Sequence, residues 1–409
     1  MRGYLQTLLL LACAASVLRA APAAPAAPAR APPSRPVPVV IWHGLGDRFD
    51  NPGLETVKAD LEARPELNGI YVHIVQLAQD GPADQRASFF GLANDQVAAG
   101  CDQLAQLANL TDPVLNPSRQ FDAIGFSQGG QFLRAVVERC SGAGLGGVNV
   151  RNLITLGSQH MGISALPPCP PGSSPFSFCR LMHLSLVRQG IYSHWAQQNI
   201  VPAQYFRDPD RIDEYLAAND FLRDLNNERE GDEQAYAERA SGLAQDDDEP
   251  SRQPRNETYK ENLAALNRFV MFRFSKDSTV VPPHSAHFTL PVPPSPSSSS
   301  SHTDTDPCLP PCYAPALPWP HLPLYAHDYV GLRRLDESGR RVQRAVCDGE
   351  HMQIEEECWG FVLQQLGEAG AGEVPEGEFG ARELESVEGE EGGDRVQQSQ
   401  HHPGFVFQL

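Results

Sequence analysis

A serine stands between glycines in the run GFSQG, which occupies residues 125–129. An apolar stretch precedes Ser127, and a helix-like pattern follows it. On a sharp strand-to-helix turn of this kind, the hydroxyl stands above the sheet edge at the N-terminus of the helix. The backbone N–H of Gln128 can then face a developing oxyanion, which the helix dipole also favours. The pattern therefore predicts that Ser127 is a nucleophile and not only a polar turn residue.

A serine hydroxyl needs a base, which is normally a histidine that a carboxylate orients. In enzymes built on this serine turn, the partners follow in the order Ser, Asp or Glu, His. Asp277 comes shortly after the strand-like run RFVMFRF, and His351 lies late in the chain within CDGEHMQI. The order of residues therefore predicts that Ser127, Asp277 and His351 form a catalytic triad.

Other assignments of the acid and the base remain open from the sequence. Asp277 could serve turn chemistry alone, because Asp is a common turn residue. His160 follows another strand-like run, and His284 and His287 also lie downstream of the serine. His351 is preferred because its late position fits the chain order best.

A second oxyanion donor is expected from the loop after an early strand. The run IWHGLGD covers residues 41–47, and its glycines allow the backbone to turn an N–H toward the site. We expect Leu45 to provide this donor. His43 precedes the serine in the chain, which predicts a structural role for it.

Short apolar runs alternate with helical patterns along much of the chain. This alternation predicts an α/β fold, with a mainly parallel central sheet and helices on both faces. The expected strands lie at 37–44, 71–77, 121–127, 152–158 and 267–274. The expected helices cover 94–108 and 129–140; in the second, Phe132, Leu133, Val136, Val137 and Cys140 lie along one face.

The net charge of −19 is concentrated in two segments. Residues 228–250 carry a net charge of −7 and residues 367–396 a net charge of −8, and both are expected to be solvated. No basic stripe is present, so a nucleic-acid partner is not expected. The expected organisation is a signal peptide (1–21), an Ala/Pro-rich linker (22–36), an α/β domain (37–366) with insertions at 228–256 and 291–312, and an acidic tail (367–409).

The cysteines and sequons fit a secreted chain. Removal of the signal peptide leaves eight cysteines, an even number that suggests four disulfides in an oxidising compartment. Zinc binding is the alternative, although no C-x-x-C pair occurs. Sequons at Asn109 and Asn256 are potential glycosylation sites. No metal or cofactor is expected, and no segment after the signal is long and apolar enough for stable membrane insertion.

Several runs together resemble the palmitoyl-protein thioesterase family of α/β-hydrolases. They are VVIWHGLGD, GFSQGGQFLRAVVERC, LITLGSQHMGISALPPCP, NETYKENLAALNRFVMFRFSKDSTV and DGEHMQI, and the resemblance covers roughly residues 37–366. It implies the same triad and the same two oxyanion donors, Leu45 and Gln128. It also implies disulfides Cys101–Cys140 and Cys169–Cys179, glycosylation at Asn256, and an inserted helical region that forms an acyl-binding groove.

The chain departs from the family in ways that suggest a divergent, fungal-like member. Adjacent cysteines expected shortly after the H-G-x-G turn are replaced by RFDNPG. The four cysteines 308, 312, 347 and 358 look additional. Cys308–Cys312 and Cys347–Cys358 are their simplest local pairs, but three connectivities are possible.

The resemblance implies hydrolysis of palmitoyl or other long-chain acyl thioesters on cysteine, through an acyl-serine. The implied partners are S-palmitoylated proteins or peptides and the fatty acyl chain. Residues 160–230, including LMHLSLVRQGIYSHWAQQNIVPAQYF, either form the wall of the acyl groove or pack as core helices. A lysosomal or vacuolar location is implied, with an extracellular one as the alternative. A lipase or cutinase-like esterase, and an inactive lipid-binding homologue, are the other functions to consider.

Overall fold

The computed structural model describes residues 35–67, 69–169, 172–232, 235–236, 254–292, 314–317, 319–339, 341–366 and 405–406. The expected signal peptide, nearly all of the linker and the tail, and the expected Cys308–Cys312 pair lie outside these residues. So do residues 233–234 and 237–253 of the first expected insertion and residues 293–312 of the second. No helix within the described ranges combines the length and apolarity needed to cross a bilayer.

A six-stranded sheet forms the centre of the domain, and all of its strand pairs are parallel. Ten strands are described in total: β1 (Val39–Trp42), β2 (Val72–Ile74), β3 (Gln120–Phe126), β4 (Asn149–Leu156), β5 (Arg268–Phe274), β6 (Leu290–Val292), β7 (Ala314–Leu317), β8 (Val342–Cys347), β9 (Gln353–Ile354) and β10 (Phe405–Val406). The order in the central sheet is β2-β1-β3-β4-β5-β8. The pairs β6–β7 and β9–β10 are antiparallel.

The strand order places a topological switch point between β1 and β3. From β1 the chain moves to β2 on one side, and then returns to β3 on the other side of β1. In open parallel sheets, ligands bind outside the carboxyl ends of the strands at such a switch point. The sheet therefore has a preferred location for a binding site before any side chain is considered.

Helices cover both faces of this sheet. They are α1 (Pro52–Ala63), α2 (Gly81–Phe89), α3 (Ala93–Gln106), α4 (Ala108–Thr111), α5 (Gln128–Cys140), α6 (Phe178–Gln189), α7 (His194–Asn199), α8 (Ile212–Ala218), α9 (Leu222–Leu225), α10 (Glu257–Ala264), α11 (Pro323–Ala326), α12 (Leu332–Glu337) and α13 (Glu356–Gln364).

Alternate side chains of β1 enter two different cores. Val39 and Ile41 pack in the core that contains α1 and α13, whereas Val40 and Trp42 pack in the core that contains α3 and α5. This alternation follows from the two-residue period of a strand that is buried on both faces. The predicted parallel sheet with helices on both faces is confirmed, and the arrangement is that of an α/β-hydrolase.

A third, smaller core holds together a helical region beside the carboxyl edge of the sheet. Met182 and Leu186 of α6 pack there with Ala196 of α7 and with Phe89 of α2. The disulfide Cys169–Cys179 links the loop before α6 to its first turn. We refer to residues 163–206 as the cap region.

Two further disulfides stabilise the main domain. Cys101–Cys140 joins α3 to the end of α5. Cys347–Cys358 joins the end of β8 to α13 and thereby closes the loop that carries His351. Disulfides that close loops of this kind restrict the unfolded chain and stabilise the folded one.

Helix α5 differs from the predicted one-sided pattern, because it is buried on all faces. Gln131, Arg134 and Glu138 are buried as well as the apolar residues. Arg134 donates to Oδ1 of Asn226 at 2.7 Å, and its Nε lies 3.4 Å from Oε1 of Glu138. Periodicity detects apolar residues only, so it could not reveal a face that is covered by polar contacts.

The expected acidic insertion also differs at its start. Glu228 and Asp232 are fully buried and not solvated. Glu228 binds Arg207 at 3.2 Å and accepts a hydrogen bond from Tyr215 at 2.6 Å, while Asp232 binds Arg255 at 2.7 Å. Composition counts the charges of a segment but not their partners, so it placed the boundary too early.

Candidate active site

Three side chains converge above the carboxyl edge of the sheet. Ser127 follows β3 directly, Asp277 follows β5, and His351 follows β8. Strands β3, β4, β5 and β8 are consecutive neighbours in the sheet. Because parallel strands end at the same edge, residues that are far apart in sequence meet there.

Ser127 occupies a strained backbone position. Its φ of 51° and ψ of −121° lie outside the regions that L-residues normally adopt. The surrounding glycines permit the sharp turn: a Cβ on Gly125 would lie 2.1 Å from Cα of Gly130, and one on Gly129 would lie 2.2 Å from the carbonyl oxygen of Trp42. The glycines of the motif are therefore required by close backbone contacts, and the strain serves to present the hydroxyl.

His351 connects the serine to the carboxylate. Its Nε2 lies 3.0 Å from Oγ of Ser127, and its Nδ1 lies 2.7 Å from Oδ2 of Asp277. In this arrangement Nδ1–H donates to the carboxylate, which leaves the Nε2 lone pair to accept the serine proton. The other oxygen of Asp277 accepts hydrogen bonds from the amides of Thr279 and Val280, each at 2.9 Å. All three groups are therefore held in position.

Two backbone amides are available beside the serine. In the described part of the chain, the N–H groups of Leu45 and Gln128 donate to no other residue. Gln128 begins α5, so its amide also lies at the positive end of a helix dipole. Its side chain is fixed by a hydrogen bond to the carbonyl of Ser88 at 3.2 Å and one from Tyr205 at 3.0 Å. This fixes the residue without occupying its amide.

His43 belongs to a second imidazole–carboxylate pair, beneath the turn that carries Leu45. Its Nε2 lies 2.8 Å from Oδ2 of Asp84, and both side chains are buried. Asp84 also accepts hydrogen bonds from the amides of Phe49 at 2.9 Å and Leu77 at 2.7 Å. The pair therefore connects the turn after β1 to the loop after β2.

Each member of this pair stabilises the charged form of the other. Burial alone would lower the pKa of His43, but the hydrogen bond and negative charge of Asp84 outweigh burial and raise that pKa. Burial alone would raise the pKa of Asp84, but His43 and the backbone amides outweigh it and lower that pKa. Asp84 could not be predicted from the sequence, because it lies in a polar run that has no distinguishing motif.

The competing histidines lie in other environments. His160 is buried, stacks on Phe288 at 4.9 Å and pairs with Oγ1 of Thr155, and burial lowers its pKa well below the usual value. His287 lies 3.1 Å from the carbonyl oxygen of Met271, and burial lowers its pKa to about 3. His284 is exposed. Neither buried ring is part of the hydrogen-bonded chain that contains Ser127.

A mainly apolar cavity of about 640 Å³ opens beside Ser127. This volume is typical of small-molecule sites. Its lining comprises Leu45, Gly46, Gln85, Phe89, Ser127, Gln159, Ile163, Pro167, Pro168, Ser173, Phe176, Ser177, Phe178, Cys179, Tyr205, Thr279 and Val280. Most of the lining from the cap region comes from residues 163–179. Among the described side chains of the run 181–206, Tyr205 alone lines the cavity, so the other described ones pack behind the wall or face outward.

The sulfur atoms near the cavity are unsuited to metal binding. Cys169, Cys179 and His183 lie close enough together to hold an ion. However, the two cysteines form a disulfide, so neither provides a thiolate ligand.

Comparisons with known proteins agree with this geometry. A family model for palmitoyl protein thioesterase matches residues 38–351. Palmitoyl-protein thioesterase 1 of Caenorhabditis elegans is 32% identical over 322 residues, which cover 78% of this chain and 88% of that protein. Palmitoyl-protein thioesterase 3 of Dictyostelium discoideum is 29% identical over 304 residues, with coverages of 74% and 81%.

A third relative combines two activities in its name. The palmitoyl-protein thioesterase-dolichyl pyrophosphate phosphatase fusion 1 of Schizosaccharomyces pombe is 33% identical over 255 residues, which cover 62% of this chain and 35% of the fusion. The family match spans well over half of the chain and includes the serine turn, the Asp277 loop and His351. The chain therefore belongs to the palmitoyl-protein thioesterase family.

Proposed function

We propose that this protein hydrolyses long-chain fatty acyl thioesters, palmitoyl thioesters in particular, on the cysteines of S-acylated proteins or peptides. The observation that carries the proposal is the 3.0 Å contact between Oγ of Ser127 and Nε2 of His351, where Ser127 lines an apolar cavity. Family membership supports the thioester as the reacting group.

In the first half-reaction, Oγ of Ser127 attacks the thioester carbonyl while Nε2 of His351 takes the hydroxyl proton. Asp277 keeps the imidazole oriented and stabilises its cationic form. The amides of Leu45 and Gln128 bind the oxyanion of the tetrahedral intermediate. One such donor contributes about 3 kcal/mol to transition-state stabilisation.

The intermediate then collapses with cleavage of the carbon–sulfur bond. His351 returns its proton to the departing cysteine sulfur, and the acyl group remains on Ser127. In the second half-reaction, a water molecule loses a proton to His351 and attacks the acyl-serine. Collapse of this second intermediate releases the fatty acid and restores the serine hydroxyl. Each step uses groups of this chain and water alone.

The cavity accounts for the fatty chain of the substrate. Its cap-side lining is dominated by apolar side chains such as Ile163, Phe176 and Phe178, together with Pro167 and Pro168. A polymethylene chain gains free energy for each methylene that leaves water, about 0.8 kcal/mol. A long acyl chain is therefore favoured over a short one.

A fluorophosphonate probe tests the nucleophile. The purified protein should be labelled, and the Ser127→Ala variant should remain folded and unlabelled. Palmitoyl-cysteine peptide should slow the labelling of the unmodified protein by competition. A folded, unlabelled protein would indicate the alternative of an inactive lipid-binding homologue and would refute the enzyme proposal.

The rate ratio between substrates tests the reacting group. Palmitoyl thioester and palmitoyl oxygen ester of matched structure should be compared by kcat/KM. We expect the thioester to be preferred. Preference for the oxygen ester would instead identify a lipase or cutinase-like esterase with the same triad.

We also propose that the chain enters the secretory pathway and reaches a lysosome or vacuole. The apolar N-terminal run, the disulfides and the sequons at Asn109 and Asn256 support this route. Both asparagines are partly exposed. Expression in a eukaryotic host should yield a chain that begins after residue 21 and loses mass on treatment with a glycosidase. A secreted product with no intracellular pool would favour the extracellular alternative.

A further inference from the structure

The outer surface of the cap region is unusually apolar. The described part of the chain has seven large apolar side chains that are markedly exposed, and four of them lie between residues 176 and 195. They are Phe176, Leu181, Leu184 and Trp195, with exposed fractions of 83%, 38%, 47% and 41%. Clustered exposed apolar residues mark interaction sites, whereas scattered ones need no explanation.

Helix α6 places several of these residues on one face. Arg180, Leu184 and Arg188 follow one another at intervals of four residues, and Leu181 lies one turn before Leu184. Such spacings put side chains on the same side of a helix. Met182 and Leu186 lie on the opposite side and are buried in the small core beneath. The exposed face is therefore not needed to hold the helix in place.

The charge of this region differs from that of the chain as a whole. All 51 acidic residues lie outside residues 139–207, although the net charge is −19. Arg180 and Arg188 are exposed on α6 beside the exposed leucines. Helix α6 and its flanking residues thus expose apolar and basic side chains and no acidic ones, on a protein that is acidic overall.

We propose that Phe176, Leu181, Leu184 and Trp195, with Arg180 and Arg188, form a docking patch for an anionic lipid bilayer. The apolar side chains would enter the interface while the two guanidinium groups pair with lipid phosphates or carboxylates. An apolar face combined with basic residues and Trp is typical of helices that lie in the membrane interface without crossing it. Each arginine near an anionic surface strengthens binding about fivefold.

The location of the patch suggests its purpose. Phe176 belongs both to the patch and to the lining of the cavity beside Ser127. A bilayer seated on the patch would therefore face the mouth of the cavity, where an acyl chain could pass between lipid and protein with little exposure to water. This purpose rests on the proposed thioesterase function, whereas the docking itself does not.

Binding to lipid vesicles tests docking separately from hydrolysis. The full mature chain carrying Ser127→Ala is sedimented with vesicles of phosphatidylcholine containing phosphatidylserine, and with vesicles of phosphatidylcholine alone. We expect binding to the anionic vesicles that is at least tenfold stronger than to the neutral ones, and that weakens at high salt. The Arg180→Gln, Arg188→Gln double variant should bind the anionic vesicles about 25-fold more weakly.

The apolar contribution has its own variant and control. Leu181→Ser with Leu184→Ser should lower vesicle binding at least tenfold, while Val114→Ser with Val346→Ser, two exposed positions outside the patch, should leave it unchanged. When Ser127 is left unchanged, so that the enzyme is active, the double leucine variant should keep the turnover of a soluble short-chain thioester.

Equal vesicle binding by the unmodified chain and by both patch variants would overturn docking to lipid. A raised KM of the same variants for a soluble palmitoyl peptide would then assign the patch to the polypeptide of the substrate. Failure of hydrolysis with retained vesicle binding would contradict the proposed function alone.

Discussion

Nε2 of His43 lies 2.8 Å from Oδ2 of Asp84, in a buried pair directly before the turn that carries the amide of Leu45. The arrangement resembles that of His351 and Asp277, where Nδ1 lies 2.7 Å from the carboxylate. The site thus contains two imidazole–carboxylate pairs. One contacts the nucleophile, and the other holds the loop from which we expect an oxyanion donor.

Asp84→Asn should therefore lower kcat more than it raises KM. The substitution removes the charge that holds His43 and weakens the acceptor for the Phe49 amide, so the amide of Leu45 loses its fixed position. We expect kcat to fall about 10- to 100-fold, because small displacements of a catalytic group cost rate of that order. Steady-state kinetics on a soluble palmitoyl thioester measure the change.

Asp122→Asn provides the matched control for that variant. Asp122 is also a buried carboxylate, but it pairs with Arg151 at the opposite end of β3, with Nε to Oδ1 at 2.8 Å. The Asp122→Asn substitution should lower the melting temperature and leave kcat of the folded protein nearly unchanged. An equal loss of kcat in both variants would show that Asp84 acts through general stability.

The same pair predicts a dependence of stability on pH. The pKa of His43 is raised above 6.5, so its contribution is complete below pH 6.5 and disappears as pH rises through the raised value. The pKa of Asp84 is lowered below 3.8, so its contribution is present above pH 3.8 and disappears as pH falls through the lowered value. The pair should stabilise the fold most between these two limits.

This dependence can be isolated by comparing variants. His43→Asn should reduce the free energy of unfolding more at pH 5 than at pH 9, since the ion pair exists at the lower pH. Comparing the two proteins at each pH cancels the opposing contributions of His160 and His287, whose lowered pKa values favour unfolding in acid. A loss that is equal at both pH values would mean that the pKa of His43 is the same in the folded and unfolded protein, and a larger loss at pH 9 would mean that folding lowers it.

Asp277→Asn should reduce turnover more severely than any change outside the site. The amide can donate to Nδ1 of His351 and so favour the tautomer in which Nε2 carries the proton and cannot accept one from Ser127. We expect kcat to fall about 10³- to 10⁴-fold with little loss of stability. Slower labelling by fluorophosphonate should accompany it. Retention of more than a tenth of the activity would indicate that the carboxylate is not part of the mechanism.

The sequence was most informative where chemistry needs particular residue types. The serine turn requires glycines at Gly125 and Gly129 because backbone lies within about 2 Å of where a Cβ would be. Asp277 and His351 follow from chain order and strand ends. These features depend on the local geometry of the serine turn, which its motif predicts, and on the parallel sheet, which the pattern of apolar residues predicts.

Other features depend on contacts that no local pattern reports. The carboxylate of Asp84 is held by hydrogen bonds from the amides of Phe49 and Leu77. Glu228 can be buried because Arg207 and two tyrosines surround it. In sequence, both acids look like solvated charges. The cavity wall was likewise expected partly in the run 181–206, but packing places most of its described side chains behind the wall or on the outer surface.

The disulfide Cys169–Cys179 should control the preference for chain length. It closes the loop that supplies Phe176 and Phe178 to the cavity and anchors the end of that loop beside Pro167 and Pro168, and Cys179 itself lines the cavity. Replacing both cysteines by serine frees this segment, so the distal part of the cavity loses its fixed shape. We expect KM for a palmitoyl thioester to rise about tenfold, the equivalent of roughly 1.4 kcal/mol of lost acyl contacts.

A short acyl thioester should be affected little by that change, because it does not reach the segment. Cys101→Ser with Cys140→Ser is the matched control: this disulfide joins α3 to α5 in the main core, and neither cysteine is among the residues that line the cavity. Its loss should cost about 3 to 4 kcal/mol of stability and leave the ratio of palmitoyl to short-chain KM unchanged. A shifted ratio in the control, or an unchanged ratio in the Cys169 and Cys179 variant, would contradict a role of this loop in holding the acyl chain.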